Sequence, residues 1–192
     1  MTVSLKFKSF IALLMAAVLL LLPNSLAFAA KPPAPQINIK TVYQAKTMWC
    51  WAATSVMLLD YYGISITQEK YAEEVRGDTA NKTIPAFEFQ SELRERGIYG
   101  DVLNEPATWE QVTKSIDNRD PVVIYLDRSH KGKVGHMMII EGYYIDKNGV
   151  KFVHVNNAAN SGGKYEMEWE AELIKGDDEW VGTYLNINKN KR

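Results

Sequence analysis

A change of residue periodicity near residue 120 constrains the fold of this chain more than any other feature of its sequence. Between residues 49 and 118 four segments carry helix signals, and from Pro121 onward five segments carry the short apolar or alternating patterns of β-strands. Helices followed by antiparallel strands predict an α+β domain with two layers. We expect an N-terminal helical layer, including one buried helix, packed on a C-terminal antiparallel sheet.

The predicted helices have recognisable ends. The segment 49–62 contains no Gly or Pro and stops before Gly63, and its apolar residues surround almost the whole helix, which indicates a buried central helix. Thr67 is a candidate N-cap, and Thr108 with Gln111 has the spacing of a capping box. Pro85 suits a first helical position. The four predicted helices are 49–62, 67–76, 85–97 and 108–118.

The second half of the chain predicts strands. The segment Asp146-Lys147-Asn148-Gly149 separates two apolar runs and is a strong hairpin signal. The predicted strands are 121–126, 136–145, 150–156, 164–169 and 180–187.

The first 29 residues are typical of a secretory signal peptide rather than of a folded element. Lys6 and Lys8 precede an uncharged apolar run over residues 10–22, and small residues at 27 and 29 suit a signal peptidase. The run is shorter than the roughly 20 residues that a spanning helix needs. We therefore expect cleavage after Ala29, a Pro-rich extended arm over 30–40, and one domain over 41–192. The mature protein would be secreted, without stable membrane association.

Composition narrows the possible functions. Lys and Arg number 22 against 23 Asp and Glu. No basic stripe is visible, which argues against a nucleic-acid partner. The single cysteine, Cys50, excludes an internal disulfide and a zinc site built from several cysteines. In an oxidising compartment an unpaired Cys is a liability unless it pairs between chains or its thiol is used. Cys50 is therefore the candidate nucleophile.

The surroundings of Cys50 suit nucleophilic catalysis. It lies at the predicted start of the buried helix, where unpaired N–H groups and the helix dipole are expected to lower the thiol pKa. A base must come from His130, His136 or His154. His136 begins a strand directly after Gly135, an end position where its ring can face a cleft. Gln44 could join the Cys50 N–H in an oxyanion hole.

Four segments in this order resemble the papain-like cysteine peptidases. They are Gln44, Trp49-Cys50-Trp51-Ala52-Ala53, the strand that begins Gly135-His136, and Val155-Asn156-Asn157. The chain is most similar to compact bacterial members such as bacteriocin-leader peptidases and staphopains. The resemblance implies a papain-like fold.

The resemblance also implies a role for each residue. Cys50 would be the nucleophile, His136 the general acid and base, Asn157 the residue that orients the imidazole, and Gln44 the oxyanion donor. It implies no metal and no organic cofactor. The compact bacterial members often carry Asp-Pro where this chain has Asn157-Ala158, so the position of the orienting residue needs a separate argument.

The hairpin register leaves that position open. A two-residue turn places Asn157 opposite Ile140, and a four-residue loop places it opposite Met138; both put Asn157 on the face that carries His136. A three-residue loop with a bulge would bring Asn156 or Asn160 to that face instead. No ideal register sets Asn157 directly across from His136, so a bulge or strong twist must close the gap. The family pattern favours Asn157 over Asn156.

Together these features predict a secreted thiol hydrolase that cleaves peptide bonds through an acyl-enzyme intermediate. Its partner would be a peptide or protein substrate, and we expect a monomer. The 20 residues from Ala30 to Trp49 are too few for an inhibitory prodomain, which predicts that any latency comes from a separate protein inhibitor or from export. Two alternatives remain: an acyl transferase of the transglutaminase or amidase type, and a non-catalytic module that binds a peptide or a cell surface.

Overall fold

The computed structural model describes residues 36–129, 135–174 and 176–189. The predicted signal peptide, residues 30–35 of the predicted arm, and His130 lie outside the described residues. The helices are α1 Cys50–Tyr61, α2 Gln68–Arg76, α3 Ala86–Glu95, α4 Trp109–Asp117 and a short π-helix, Trp169–Ile174. The strands are β1 Tyr99–Leu103, β2 Val122–Asp127, β3 His136–Ile145, β4 Lys151–Asn157, β5 Gly163–Glu168 and β6 Glu179–Asn188.

In the described part of the chain the strands form one six-stranded sheet in the order β1-β6-β2-β3-β4-β5. Every neighbouring pair is antiparallel. Helix α1 packs on β3, and α4 packs on β2, β3 and β6. The predicted α+β class, with helices against an antiparallel sheet, is confirmed.

The helix ends follow their sequence signals closely. Helix α1 is buried from Cys50 to Leu59, and Gly63 follows it with φ +79°, its N–H donating to the Asp60 carbonyl. The Thr67 hydroxyl accepts the Lys70 N–H, and the reciprocal capping box of Thr108 is formed. Helix α3 begins one residue later than expected, because Pro85 takes the extended N-cap conformation.

Strand β1 was not predicted from the sequence. Its residues Tyr-Gly-Asp-Val-Leu include two poor strand formers, and most of the strand is partly exposed. It forms the edge of the sheet by pairing with β6, where Val102 lies opposite Tyr184. Pairing with a distant segment therefore overrides a weak local preference.

A β-bulge at Glu141 sets the register of the β3–β4 hairpin. Near the loop Ile145 pairs with Lys151, but beyond the bulge Ile139 pairs with Asn156. One further step along that register places Asn157 opposite Met138. This is the register expected of a four-residue loop, although here the loop is longer and the bulge supplies the shift.

The segment that precedes α1 is part of the packed structure. Gln36 bridges to Gly142, and the Ile37 N–H donates to the Glu141 carbonyl at 2.5 Å. Ile37 and Ile39 are each 1% exposed. Residues 36–39 therefore lie against the sheet at the bulge.

The fully buried Glu141 carboxylate joins this segment to β4 and β5. Its Oε1 lies 2.9 Å from the Lys164 Nζ. Its Oε2 accepts the Ile39 N–H and the Asn156 Nδ2, each at 3.3 Å. A buried charge is stable only when paired and hydrogen-bonded in this way.

Glu141→Ala is expected to lower the free energy of unfolding by about 2–4 kcal/mol, because the buried Ile39 N–H and one hydrogen of the Asn156 amide lose their acceptor and Lys164 loses its ion-pair partner. Urea unfolding measures the change. Glu95→Ala, at an exposed helix end, is the control, with an expected change within about 0.5 kcal/mol. Equal, small losses in both variants would contradict a structural role for Glu141.

Candidate active site

The tryptophans on either side of Cys50 hold the start of α1 in place. The indole N–H of Trp49 donates to the Ala80 carbonyl at 2.9 Å, and that of Trp51 donates to the Lys82 carbonyl at 3.0 Å. Both tryptophans are fully buried. Cys50 between them is 8% exposed, so its thiol lies at a fixed, nearly buried position at the helix N-terminus.

Burial and the neighbouring polar groups act on the Cys50 thiol in opposite directions. Burial raises the pKa of the thiol, and this is the largest influence. The N–H groups of Met137, Trp51 and Cys50 itself, together with the charge of Arg128, lower the pKa by smaller amounts. The helix N-terminus thus acts in the expected direction, but the net direction is opposite to the prediction, because burial outweighs it.

His136 is the first residue of β3 and is 3% exposed. Its Nε2 lies 2.7 Å from the Asn157 Oδ1. That Oδ1 also accepts the Ala159 N–H at 3.0 Å, while the Asn157 Nδ2 donates to the Tyr165 hydroxyl at 3.4 Å. These contacts fix the orientation of the amide, so Nε2 carries the ring hydrogen and Nδ1 keeps a free lone pair.

Close packing around the amide holds it against the ring. A Cβ on Gly162 would lie 2.8 Å from the side-chain Cγ of Asn157 and 2.7 Å from the main-chain carbonyl oxygen of the same residue. Only glycine allows this approach, which turns the chain from β4 into β5 directly over Asn157.

Burial lowers the pKa of His136 most strongly, and Arg128 lowers it further. The hydrogen bond to Asn157 and the charge of Asp178 act in the opposite direction. Burial therefore favours the neutral forms of both the thiol and the imidazole.

The neighbouring asparagine has a different environment. The Asn156 Nδ2 donates to the Ile39 carbonyl at 3.0 Å and to Glu141, and its Oδ1 accepts the Thr41 hydroxyl at 3.0 Å. His154 lies 3.6 Å from a Glu166 oxygen. The structure thus brings Asn157, and neither Asn156 nor His154, to the His136 ring. The catalytic role of Asn157 stays a prediction.

A cleft of about 200 Å³ opens where these groups meet. The residues that line it are Gln44, Thr47, Met48, Cys50, Thr83, Arg128, Gly135, His136 and Ala159. The Gln44 Nε2 donates to the carbonyls of Lys46 at 3.0 Å and Thr47 at 2.8 Å. Service as an oxyanion donor would require one of these bonds to be released, and this role too stays a prediction.

Two polar side chains outside the Gln44 loop hold it in place, and sequence reasoning missed both. The Gln68 Nε2 donates to the Tyr43 carbonyl at 2.7 Å, and its Oε1 accepts the Ala45 N–H at 3.0 Å. One amide thus bridges the residues on either side of Gln44. No sequence signal marks it, because Gln at a helix start is ordinarily solvated.

Asn81 forms the matching contact at the other end of the loop. Its Oδ1 accepts the Met48 N–H at 2.8 Å, and its Nδ2 donates to the Thr47 hydroxyl at 2.8 Å. The residues that precede Cys50 are therefore held from α2 and from the segment that follows it.

Arg128 is a further cleft residue that sequence reasoning did not single out. It follows β2 directly, and its Nε lies 3.1 Å from the Asp178 Oδ2. Its charge lowers the pKa of both Cys50 and His136. Its position beside the start of β3 follows from the pairing of Leu126 with His136, which the sequence does not reveal.

The described residues contain no group of three or more His, Cys, Asp or Glu side chains placed to hold a metal ion. Over the same ranges no helix is long and apolar enough to cross a membrane. The expectation that no metal or cofactor is needed stays a prediction.

Several solved structures share this fold. The peptidase domain of Streptococcus ComA, a bifunctional ABC transporter involved in quorum sensing, has a TM-score of 0.59 at 16% identity, covering 80% of this chain and 100% of that one. A C39-like peptidase from Bacillus anthracis has a TM-score of 0.54 at 15% identity, covering 83% of this chain and 98% of that one. A double-glycine motif protease from an AMS/PCAT transporter, solved in complex with the leader peptide, has a TM-score of 0.52 at 17% sequence identity, covering 79% of this chain and 92% of that one.

At these identities the likeness shows the fold, which is that of the papain-like cysteine peptidases. The model of the Peptidase_C39 like family matches residues 36–184, most of the chain, and the protein belongs to this family of cysteine peptidases. No curated protein sequence matches the chain. The predicted family resemblance is confirmed.

Gln68→Met is expected to lower the free energy of unfolding by about 1–3 kcal/mol, because the Tyr43 carbonyl and the Ala45 N–H lose their partner. Hydrogen exchange in residues 43–48 should become faster than in the rest of the domain. Lys70→Met, an exposed position on the same helix, is the control and should leave both quantities nearly unchanged. Unchanged exchange in Gln68→Met would contradict the role of Gln68 in holding the loop.

Proposed function

We propose that this protein is a secreted thiol peptidase in which Cys50 attacks a peptide carbonyl and His136, oriented by Asn157, transfers the protons. One observation carries the proposal. Cys50 at the start of α1 and His136 at the start of β3 line the same cleft, and the His136 Nε2 lies 2.7 Å from the Asn157 Oδ1.

The reaction follows from the free lone pair on Nδ1. The thiol proton passes to Nδ1, and the sulfur forms a bond to the peptide carbonyl carbon. The C–N bond then breaks as the imidazolium gives that proton to the leaving amine, which leaves an acyl-enzyme on Cys50. Water, deprotonated by His136, attacks the acyl carbon, and the thiol leaves with the proton returned.

The oxyanion formed in both steps needs N–H donors in the cleft. The Cys50 N–H lies at the start of α1, among the first-turn N–H groups that have no partner within the helix. The Gln44 amide would be the second donor once substrate displaces the Lys46 or Thr47 carbonyl from Nε2. The bridge through Gln68 would keep its backbone in place during that exchange.

Two further parts of the proposal rest on other evidence. A peptide substrate is supported by the related double-glycine motif protease, which was solved in complex with a leader peptide. Secretion is supported by residues 1–29, whose charge and apolar pattern are typical of a signal peptide.

Substitutions at Asn157 test the orientation of the ring. Asn157→Ala leaves the Nε2 hydrogen without an acceptor and is expected to lower kcat/KM about 10- to 100-fold. Asn157→Asp keeps an acceptor and adds a negative charge, which favours the imidazolium and raises the pKa of His136. Because burial lowers the pKa of His136, we expect the acid limb of kcat/KM in the native protein below the ordinary imidazole pKa of about 6.5. The limb should therefore move to higher pH in Asn157→Asp. An unmoved limb in the Asp variant, or full activity in the Ala variant, would contradict the assignment.

Peptide-library cleavage under reducing conditions tests the proposed function itself. The native protein should cleave internal peptide bonds, Cys50→Ala should be inactive, and His136→Ala should lose at least about 100-fold. An epoxide inhibitor such as E-64 should label Cys50, and the labelling should be lost in His136→Ala. Product analysis with an added amine separates hydrolysis from acyl transfer. Peptide binding without turnover or labelling would show a binding module and overturn the proposal.

A further inference from the structure

A second cavity of about 310 Å³ adjoins the candidate active site, and Arg128 lines both. Its remaining lining divides into an apolar floor and an acidic rim. The floor consists of Leu126, Met138, Tyr165, Met167 and Leu173, and the rim consists of Glu172, Asp177 and Asp178.

The floor begins beside the residue that orients His136. The Tyr165 hydroxyl accepts a hydrogen bond from the Asn157 Nδ2 at 3.4 Å and donates one to the Met138 sulfur at 3.2 Å. Methionine side chains are unbranched and adapt to the shape of what they contact. A linear aliphatic chain would therefore fit along Met138 and Met167, in a cavity that shares Arg128 with the cleft of Cys50 and His136.

The rim is brought together at the end of the π-helix. A Cβ on Gly176 would clash with the Glu172 carbonyl, so glycine permits the turn that sets Asp177 and Asp178 beside Glu172. Asp178 pairs with Arg128. The Glu172 Oε2 accepts the Glu168 N–H at 2.6 Å. Within the described ranges neither Glu172 nor Asp177 forms an ion pair with a Lys or Arg. The rim thus carries three carboxylates against one guanidinium.

We propose that this cavity binds a basic side chain of the substrate, lysine or arginine, close to the bond that is cut. This inference rests on the proposed peptidase function. The aliphatic stem would cover the apolar floor, and the cationic head would reach the carboxylates of Glu172 and Asp177. An acidic substrate side chain is disfavoured for two reasons. The guanidinium of Arg128 already pairs with Asp178, and the carboxylates of Glu172 and Asp177 would repel a second negative charge.

Matched peptides that carry lysine, norleucine or glutamate at each position around the cleaved bond test the proposal. Norleucine keeps a linear aliphatic chain and lacks the ammonium group. At one position the native protein should prefer lysine over norleucine by about 3- to 5-fold in kcat/KM, because Glu172 and Asp177 are exposed, and should cleave the glutamate peptide least. The preference should weaken as the salt concentration rises.

The double variant Glu172→Gln, Asp177→Asn should bring the lysine-to-norleucine ratio close to one. Asp177→Lys should favour glutamate over lysine at the same position, a reversal that a general loss of structure cannot produce. Glu170→Gln is the matched control, because this exposed residue lies on the same π-helix and does not line the cavity. Its ratio should equal that of the native protein.

The outcomes separate this inference from the proposed function. Cleavage of lysine and norleucine peptides at equal rates by the native protein, or a lysine preference that survives in the double variant, would overturn the basic-side-chain site and leave the peptidase function standing. Cleavage of no peptide at all would overturn the peptidase function, and this inference with it.

Discussion

The packing of α1 on β3 joins the two layers of the molecule at the point where its chemistry would occur, because Cys50 begins α1 and His136 begins β3. Cys50 is fixed from the helical side by the indoles of Trp49 and Trp51. His136 is fixed from the sheet side by Asn157. Without the packing of α1 on β3 these two constraints would be unrelated, so the geometry of the site is a property of the interface between the layers.

Much of the fold could be predicted from local patterns, as the capping box at Thr108 and the hairpin at Asn148-Gly149 illustrate. The same holds for the identity of Cys50 and His136 as candidates, because a lone cysteine behind a signal-peptide pattern and a strand-end histidine are visible without coordinates. Strand β1, Gln68 and Arg128 could not be predicted in this way. Each acquires its role from a segment distant in sequence, and no periodicity or spacing encodes such pairings.

The choice between Asn156 and Asn157 shows where sequence reasoning stops. Several registers of the β3–β4 hairpin were compatible with the turn signal, and a bulge decided among them. The bulge falls at Glu141, a lone acid within an apolar strand, and this carboxylate is paired by the Ile39 N–H, the Asn156 amide and Lys164. The same buried contact that holds the N-terminal segment therefore determines which asparagine meets the imidazole.

The electrostatics of the cleft suit a Cys50 thiol and a His136 imidazole that are neutral at rest and become charged only during the reaction. Burial favours a neutral thiol and a neutral imidazole, and an amide at Nε2 orients the ring without adding the charge that a carboxylate would bring. The positive charge of Arg128 opposes protonation of His136. The carboxylate of Asp178, which pairs with Arg128, favours that protonation. A basic substrate side chain bound at the rim would add a cation beside this pair. Like Arg128, that cation would favour the thiolate at Cys50 and oppose the imidazolium at His136, so its two effects on proton transfer between them would counteract each other.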